Sequence, residues 1–363
     1  MSQRPAIAAV LLPHGLCPGA CPYCPTDAAD ETKDLLPDPV DVSAAVDRVL
    51  DREHARGREQ RPVEIAFYGG DLWALPRPLR TGLLDVAEWE VRRGRATGIR
   101  VTLSPRSVLR APLPEFLARG IHSVELPIHT MEQAAVRRLG SRMPTRFGIE
   151  AIGRLNRYKF RSIVHWTPGL PGTSHNSSLE GFNKVLAAGP SAVRILPALV
   201  VAGTPLAKIV AGSEWRPMTA EQAVSTCRHL MDLAAHKEVE VVRVGLQPEQ
   251  DLLRGPEVIA GPWDANLRGR VESERMLVRA TSALTSAFSL GRRAFTFVVH
   301  PREESWLRGM ESVNLRILRE QFRLDELKVL PTQELPCGEL RVFAGVLDEV
   351  PPLPPSRGTK RAS

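Results

Sequence analysis

"PHGLCPGACPYCP" (13–25) directly follows the apolar run "AIAAVLL" (6–12), and its three cysteines, Cys17, Cys21 and Cys24, are spaced C-x3-C-x2-C. The run reads as a first strand that delivers the chain into the cysteine loop. Three thiolates can hold three corners of a cubane iron–sulfur cluster, each iron taking one cysteine beside three sulfides. The fourth iron then lacks a protein ligand, and an open position is what separates a catalytic metal centre from a structural one. Gly15 and Gly19 allow close backbone approach in so short a loop, while Pro18, Pro22 and Pro25 stiffen it. A zinc site of three cysteines and a histidine, His14 or a distant one, is a second reading, although the sequence lacks the paired C-x2-C or late His-x3–5-His of zinc knuckles. A four-cysteine electron-transfer cluster would have to recruit Cys227 or Cys337, which stand singly in a helical stretch and a loop.

Five cysteines, three of them crowded into one loop, do not make a disulfide framework and point to a reducing compartment. The 363 residues are 43% hydrophobic and 25% charged, enough to build a sizeable core without staples. No stretch approaches the roughly 20 apolar residues that span a bilayer. The N-terminal apolar run is broken by Pro13 and shows no small-residue cleavage site, so the expected location is the cytoplasm. The net charge is +7. Eight basic residues between Arg137 and Arg161 face the single acid Glu150, so this window alone carries as much excess charge as the whole chain. It reads either as a solvated helical face or as a phosphate-facing patch for RNA or another anionic substrate, with Arg138, Arg154, Arg157, Lys159 and Arg161 as candidates.

Outward from the loop, apolar β-branched runs alternate with helical stretches. Strands are expected at 6–12, 63–70, 98–104, 121–129, 160–172, 192–201 and 238–248, and helices at 40–57, 79–94, 113–120, 177–188 and 219–236, with a basic helical stretch running to about Tyr158. Ser43 is the expected N-cap of the first helix. This rhythm indicates βαβ units and a parallel sheet, and fits a full or partial (β/α) barrel better than an open sheet. Beyond Gly261 it changes to a helix (266–288) and a βαββ appendage with strands at 294–300, 327–331 and 339–345 and a helix at 304–321. The expected division is a barrel over 1–262, an α+β lobe over 263–347, and a Pro-rich, basic, disordered tail over 348–363.

The cysteine spacing, with the aromatic Tyr23 before the third cysteine, resembles the signature of radical SAM enzymes. That resemblance implies an α/β fold, a partial (β/α)6-type barrel with the loop after strand one. It further implies a [4Fe-4S] cluster whose open iron is chelated by S-adenosyl-L-methionine, with a 5′-deoxyadenosyl radical as the product of reductive cleavage and a reductant protein such as ferredoxin or flavodoxin as partner. "IAFYGGDLWALP" (65–76) falls where the superfamily has its glycine-glycine-glutamate motif: Gly69 and Gly70 match, and Asp71 departs from the usual residue. "TPGLPG" (167–172), "RILPALVVAGTPL" (194–206), "EWRPMTAEQAV" (214–224), "VVRVGLQP" (241–248) and "AGPWDANLRGRVESE" (260–274) look like successive segments of the elongator protein three family, which modifies wobble uridine in transfer RNA. The likeness covers about 5–275. Two features depart from that family: no glycine-rich acetyl-CoA loop is present, and "LPIHT" stands where the family ends a strand with Gly-Gln-Ser. Radical SAM chemistry is therefore expected, and acetyl-CoA chemistry is not.

By position in such a barrel, Ser104, Glu125, His129, Thr130, Arg142 and the Gly169–Leu170 pair of "GLPG" are candidate cofactor contacts, with Arg142 a possible partner of the methionine carboxylate. Thr204, Gln247 and Trp166 are candidate cavity-facing groups. The expected activity is radical SAM chemistry on RNA, probed against a peptide or small-metabolite substrate and against a non-catalytic metal-binding module.

Overall fold

The computed structural model describes residues 4–13, 21–22, 36–212, 214–245, 258–288 and 292–352. Residues up to Ala265 form one compact unit, and those from Asn266 onward form a second. The segments holding Cys17, Tyr23, Cys24, Gln247 and most of the tail lie outside the described residues.

The first unit is built on a seven-stranded sheet in the order β1-β2-β3-β4-β5-β6-β8, parallel throughout. Its strands are β1 (Ala6–Leu12), β2 (Val63–Gly69), β3 (Gly98–Thr102), β4 (Ile121–His129), β5 (Arg161–Trp166), β6 (Ala192–Ile195) and β8 (Glu240–Val244). Helices return the chain between them: α1 (Pro39–Ala55), α2 (Arg77–Arg92), α3 (Pro105–Arg110), α4 (Leu113–Ala118), α5 (Gln133–Arg138), α6 (Arg146–Arg157), α7 (His175–Ala187), α8 (Pro205–Ala211) and α9 (Ala220–His236). Each long helix buries one apolar stripe at 3–4-residue spacing, such as Val42, Val46 and Val49 of α1 or Ala151, Ile152 and Leu155 of α6. The short strands β7 (Val200–Val201) and β9 (Val258–Ala260) pair antiparallel outside the main sheet.

The sheet is strongly curled. Arg194 on β6 donates to the Tyr68 hydroxyl on β2 at 3.4 Å. These strands are four places apart, which in a flat sheet would be roughly 19 Å. At the opposite rim the exposed Arg4, just ahead of β1, pairs at 2.8 Å with Glu240 at the start of β8, so the two edge strands approach each other. The result is the expected partial barrel.

Several local expectations are corrected. The first helix is capped by Asp38, in a reciprocal capping box with Asp41 and with Pro39 at its first position; Ser43 instead donates to Glu90 of α2 at 2.6 Å. The run 192–201 is cut into β6 and β7 at Pro197, which has no N–H for a ladder. The basic stretch before Tyr158 is two helices, α5 and α6, separated by a loop. Trp166 does not face the cavity: it is 1% exposed, its ring lies 5.5 Å from that of Phe182, and it packs over Gly181 of α7 on the outside of the sheet.

The second unit carries α10 (Leu267–Ala287) and a three-stranded sheet, β11-β10-β12, made of β10 (Ala294–Val299), β11 (Glu326–Pro331) and β12 (Leu340–Ala344). β10 and β11 are parallel, and β10 and β12 antiparallel, as a βαββ order requires. The helix expected over 304–321 is broken into α11 (Glu304–Arg308) and α12 (Val313–Phe322). Gly309, Glu311 and Ser312 adopt positive φ there, and the Asn314 amide donates to the carbonyls of Trp306 and Ser273. Phe295, Phe297, Val299, Leu307 and Leu318 form its core. No helix among the described residues is long and apolar enough to cross a membrane.

Candidate active site

The C-terminal ends of parallel strands form the mouth of such a barrel, and the cysteine loop leaves β1 there. The double glycine makes the join. The Gly70 N–H donates to the Leu12 carbonyl at 3.0 Å, and a Cβ on Gly70 would lie 2.2 Å from the Pro13 carbonyl oxygen. Gly69 supplies the turn with φ of 90°. The end of β2 is thus pressed against the residue that leads into the loop, an approach only glycine permits.

Asp71 is buried behind this join with both carboxylate oxygens occupied. One accepts from the Trp73 N–H and the other from the Ser104 N–H, each at 2.9 Å. Asp71 therefore braces the β2 and β3 ends to each other. Ser104 caps α3, accepting from the Ser107 N–H at 3.1 Å. In the "GLPG" turn Gly169 has φ of 83° and lies against Met218, while Leu170 is buried with Leu139, Ala198, Val200 and Leu206. The Leu170 side chain faces that apolar cluster, so any cofactor contact here would be through backbone. Thr204 caps α8 through Ala207 N–H.

Of the three loop cysteines, Cys21 lies among the described residues. It is half-buried beside Leu196, Leu199 and Val201, and its sulfur is 3.7 Å from His129 Nε2. His129 ends β4 with φ of 63°, where the β4–β5 register slips, and its Nδ1 is 2.9 Å from the Thr167 hydroxyl. Its ring meets that of His165 edge-on at 6.3 Å. Thr130 is buried and caps the following turn, accepting from Glu132 N–H at 3.0 Å. A half-buried thiol at the barrel mouth, with an apolar wall on one side and an imidazole on the other, fits a thiolate-held cluster.

Below His129 the barrel holds a charged column. Glu125 lies in the middle of β4 rather than at its end and is fully buried. One of its oxygens accepts from Arg100 at 3.1 Å and Arg194 at 2.8 Å; the other accepts from His165 at 2.5 Å. Arg100 also pairs with Glu64, and both arginines donate to the Tyr68 hydroxyl. Burial pushes the Glu125 carboxyl upward, but Arg194, His165 and Arg100 outweigh it and hold the group well below the usual carboxylate range. Burial pushes the Tyr68 phenol up and keeps His165 down, despite its bond to Glu125. Among the described residues the Nε–H groups of Arg100 and Arg194 are buried without an acceptor. Sequence reading missed Tyr68, Arg100, His165 and Arg194. The available signal was alternation: each sits at a period-two position of an otherwise apolar strand.

The basic window divides between the two rims. Arg138 closes α5 beside Gly172, just past the mouth end of β5, and the exposed Arg142 and Arg146 precede or open α6. Arg157 closes α6, which at 12 residues carries it roughly 18 Å to the opposite rim. Lys159 and Arg161 follow there, and Arg161 pairs with Glu240 at 2.8 Å. Arg154 donates to the carbonyls of Val108 and Ala111, at 2.6 and 3.0 Å, tying α6 to α3. The five residues read as one patch are therefore not brought together. Of the two other cysteines, Cys227 is buried in α9, where burial pushes its thiol up, and Cys337 is exposed in the second unit.

The network predicts a pH dependence. Glu125 stays ionised in the folded barrel at pH values where the unfolded chain would bind a proton. Its stabilisation is therefore complete above about pH 4.3, the ordinary glutamate value, and is lost as pH falls below that toward the folded value. Glu125→Gln should lower the urea midpoint at neutral pH by about 3–5 kcal/mol of stability, because two arginines lose a buried counter-charge. It should also flatten the decline as pH falls below about 4.3, measured by circular dichroism. A midpoint and slope equal to wild type would contradict the assignment.

Residues 190–276 match the family model of the Radical_SAM C-terminal domain. Elp3 of the archaeon Methanocaldococcus infernus, solved with an N-terminal deletion, aligns with 77% of this chain and 64% of its own at TM-score 0.60 and 18% identity. The chain thus spans slightly less than two thirds of that protein's length. Streptococcus suis SuiB bound to S-adenosylmethionine aligns over 68% of this chain and 51% of its own at TM-score 0.46 and 13% identity. The radical SAM enzyme HemN, the coproporphyrinogen III oxidase of Escherichia coli, aligns over 65% and 54% at 0.44 and 14%. No curated protein matches the sequence. The chain thus has a curled parallel barrel with a fold similar to that of Elp3, and its residues 190–276 are similar to the Radical_SAM C-terminal domain.

Proposed function

We propose that the protein is a radical SAM enzyme that acts on RNA, with transfer RNA the first substrate to test. The observation that carries the chemistry is the C-x3-C-x2-C loop, which leaves β1 at the mouth of a radical SAM barrel with the Cys21 thiol at that mouth. Cys17, Cys21 and Cys24 would hold the [4Fe-4S] cluster. When bound, cluster and S-adenosyl-L-methionine together supply one-electron cleavage of the sulfonium to methionine and a 5′-deoxyadenosyl radical.

The chain's own residues orient and exclude. Gly69 and Gly70 leave backbone rather than side chain at the β2 end, where the family resemblance puts the methionine amine. The apolar wall of Leu196, Leu199 and Val201 keeps water from the Cys21 side. Below, the buried Nε–H donors of Arg100 and Arg194 suit an acceptor-rich substrate group entering the barrel. For RNA, the mouth-side residues Arg138, Arg142 and Arg146 would meet phosphates, while Arg157, Lys159 and Arg161 stand at the far rim and Arg154 holds α3.

After anaerobic iron–sulfur reconstitution, reduction in the presence of S-adenosyl-L-methionine should release 5′-deoxyadenosine, and Cys21→Ala should abolish it while circular dichroism stays unchanged. Release at the wild-type rate by Cys21→Ala would overturn the cluster assignment. Transfer-RNA binding should weaken steeply with salt, and reversing Arg138, Arg142 and Arg146 to Glu should reduce the log–log slope by about 2–3. The corresponding reversal of Arg157 and Lys159 should leave the slope unchanged. Absence of RNA binding at low salt, with deoxyadenosine still released, would overturn RNA and leave the radical chemistry standing.

A further inference from the structure

We infer that His129 donates an N–H···S hydrogen bond to the Cys21 thiolate and thereby raises the reduction potential of the cluster that Cys21 helps to hold; this rests on the cluster reading above. The imidazole is placed for that contact by its own backbone and by one neighbour. His129 adopts φ of 63°, a left-handed conformation that non-glycine residues take at a cost. The cost is met by a two-point clamp with Thr167 on β5. The Thr167 N–H donates to the His129 carbonyl at 2.9 Å, and the Thr167 hydroxyl stands 2.9 Å from His129 Nδ1. Both residues are buried.

The clamp also sets the proton. A thiolate is an acceptor, so the nitrogen that faces it, Nε2 at 3.7 Å, is best matched when it carries the hydrogen. Nδ1 then carries no proton, and the Thr167 hydroxyl, 2.9 Å away, is placed to donate to it. Thr167 therefore selects the tautomer that aims N–H at sulfur, the role that outer partners play for ligand geometry at metal sites. Hydrogen bonds to cluster sulfurs stabilise the more negative, reduced state more than the oxidised one, so the bond makes reduction easier. The residue that does this stands in "LPIHT", where the sequence departs from the Gly-Gln-Ser of the elongator family.

The test is the midpoint potential of the reconstituted protein, followed by electron paramagnetic resonance during a redox titration, with iron content measured for every sample. His129→Phe should move the midpoint to a more negative value at unchanged iron content. His129→Gln, which keeps a donor, should recover part of that shift. Thr167→Val, which leaves the imidazole in place but removes the tautomer control, should move the midpoint the same way by less. A wild-type midpoint in His129→Phe, or equal midpoints in Phe and Gln variants, would overturn the inference. Failure of the wild-type protein to assemble a reducible cluster would overturn the functional reading itself, a separate outcome from an unmoved midpoint.

Discussion

A single buried carboxylate holds the barrel in its curled form. Glu125 on β4 gathers Arg100 from β3, His165 from β5 and Arg194 from β6, and the two arginines extend the grip to Tyr68 on β2. Removing one charge from water into this interior is expensive, and the cost is offset only when several partners converge with good geometry. Convergence from five neighbouring strands requires those strands to bend around a common point. The network and the curvature are therefore one constraint: a flatter sheet would strand Glu125, and loss of Glu125 would take the counter-charge from Arg194 and leave Arg100 with Glu64 alone.

The same column leads upward to the chemistry. His165 sits between Glu125 and His129, His129 between His165 and Cys21, and every step lies on the inner side of the barrel or at its mouth. The Gly69–Gly70 join and the Asp71 brace then fix the ends of β1, β2 and β3 around the departing cysteine loop. The mouth is held rigidly by groups that need not touch a cofactor, which is how a scaffold can keep reactive groups in place without lending them side chains.

The part of this architecture legible in the sequence was the part encoded locally. The C-x3-C-x2-C spacing, the glycine pair and the alternation of apolar strands with helices all act within a few residues of themselves, so the barrel and its loop could be read in order. The charged column could not, because Arg194 and Tyr68 are 126 residues apart and meet only after the sheet curls. Asp71 and Arg154 look like ligand-binding residues in sequence, and the backbone amides and carbonyls their side chains meet come from other elements and are visible only in the fold. The basic window misled for a related reason: α6 carries its two ends to opposite rims, so proximity in sequence became separation in space. His129 was placed correctly near the mouth, but the left-handed turn and the Thr167 clamp that aim it are tertiary.

The central claim is that the mouth of this barrel presents a cluster with one iron open to S-adenosyl-L-methionine. Electron paramagnetic resonance of the reduced, reconstituted protein with and without S-adenosyl-L-methionine tests it most directly. The account predicts a reduced four-iron signal whose g-values shift on addition, because the ligand coordinates the cluster itself. A four-iron signal indifferent to S-adenosyl-L-methionine, or a protein that takes up zinc and shows no such signal, would contradict it.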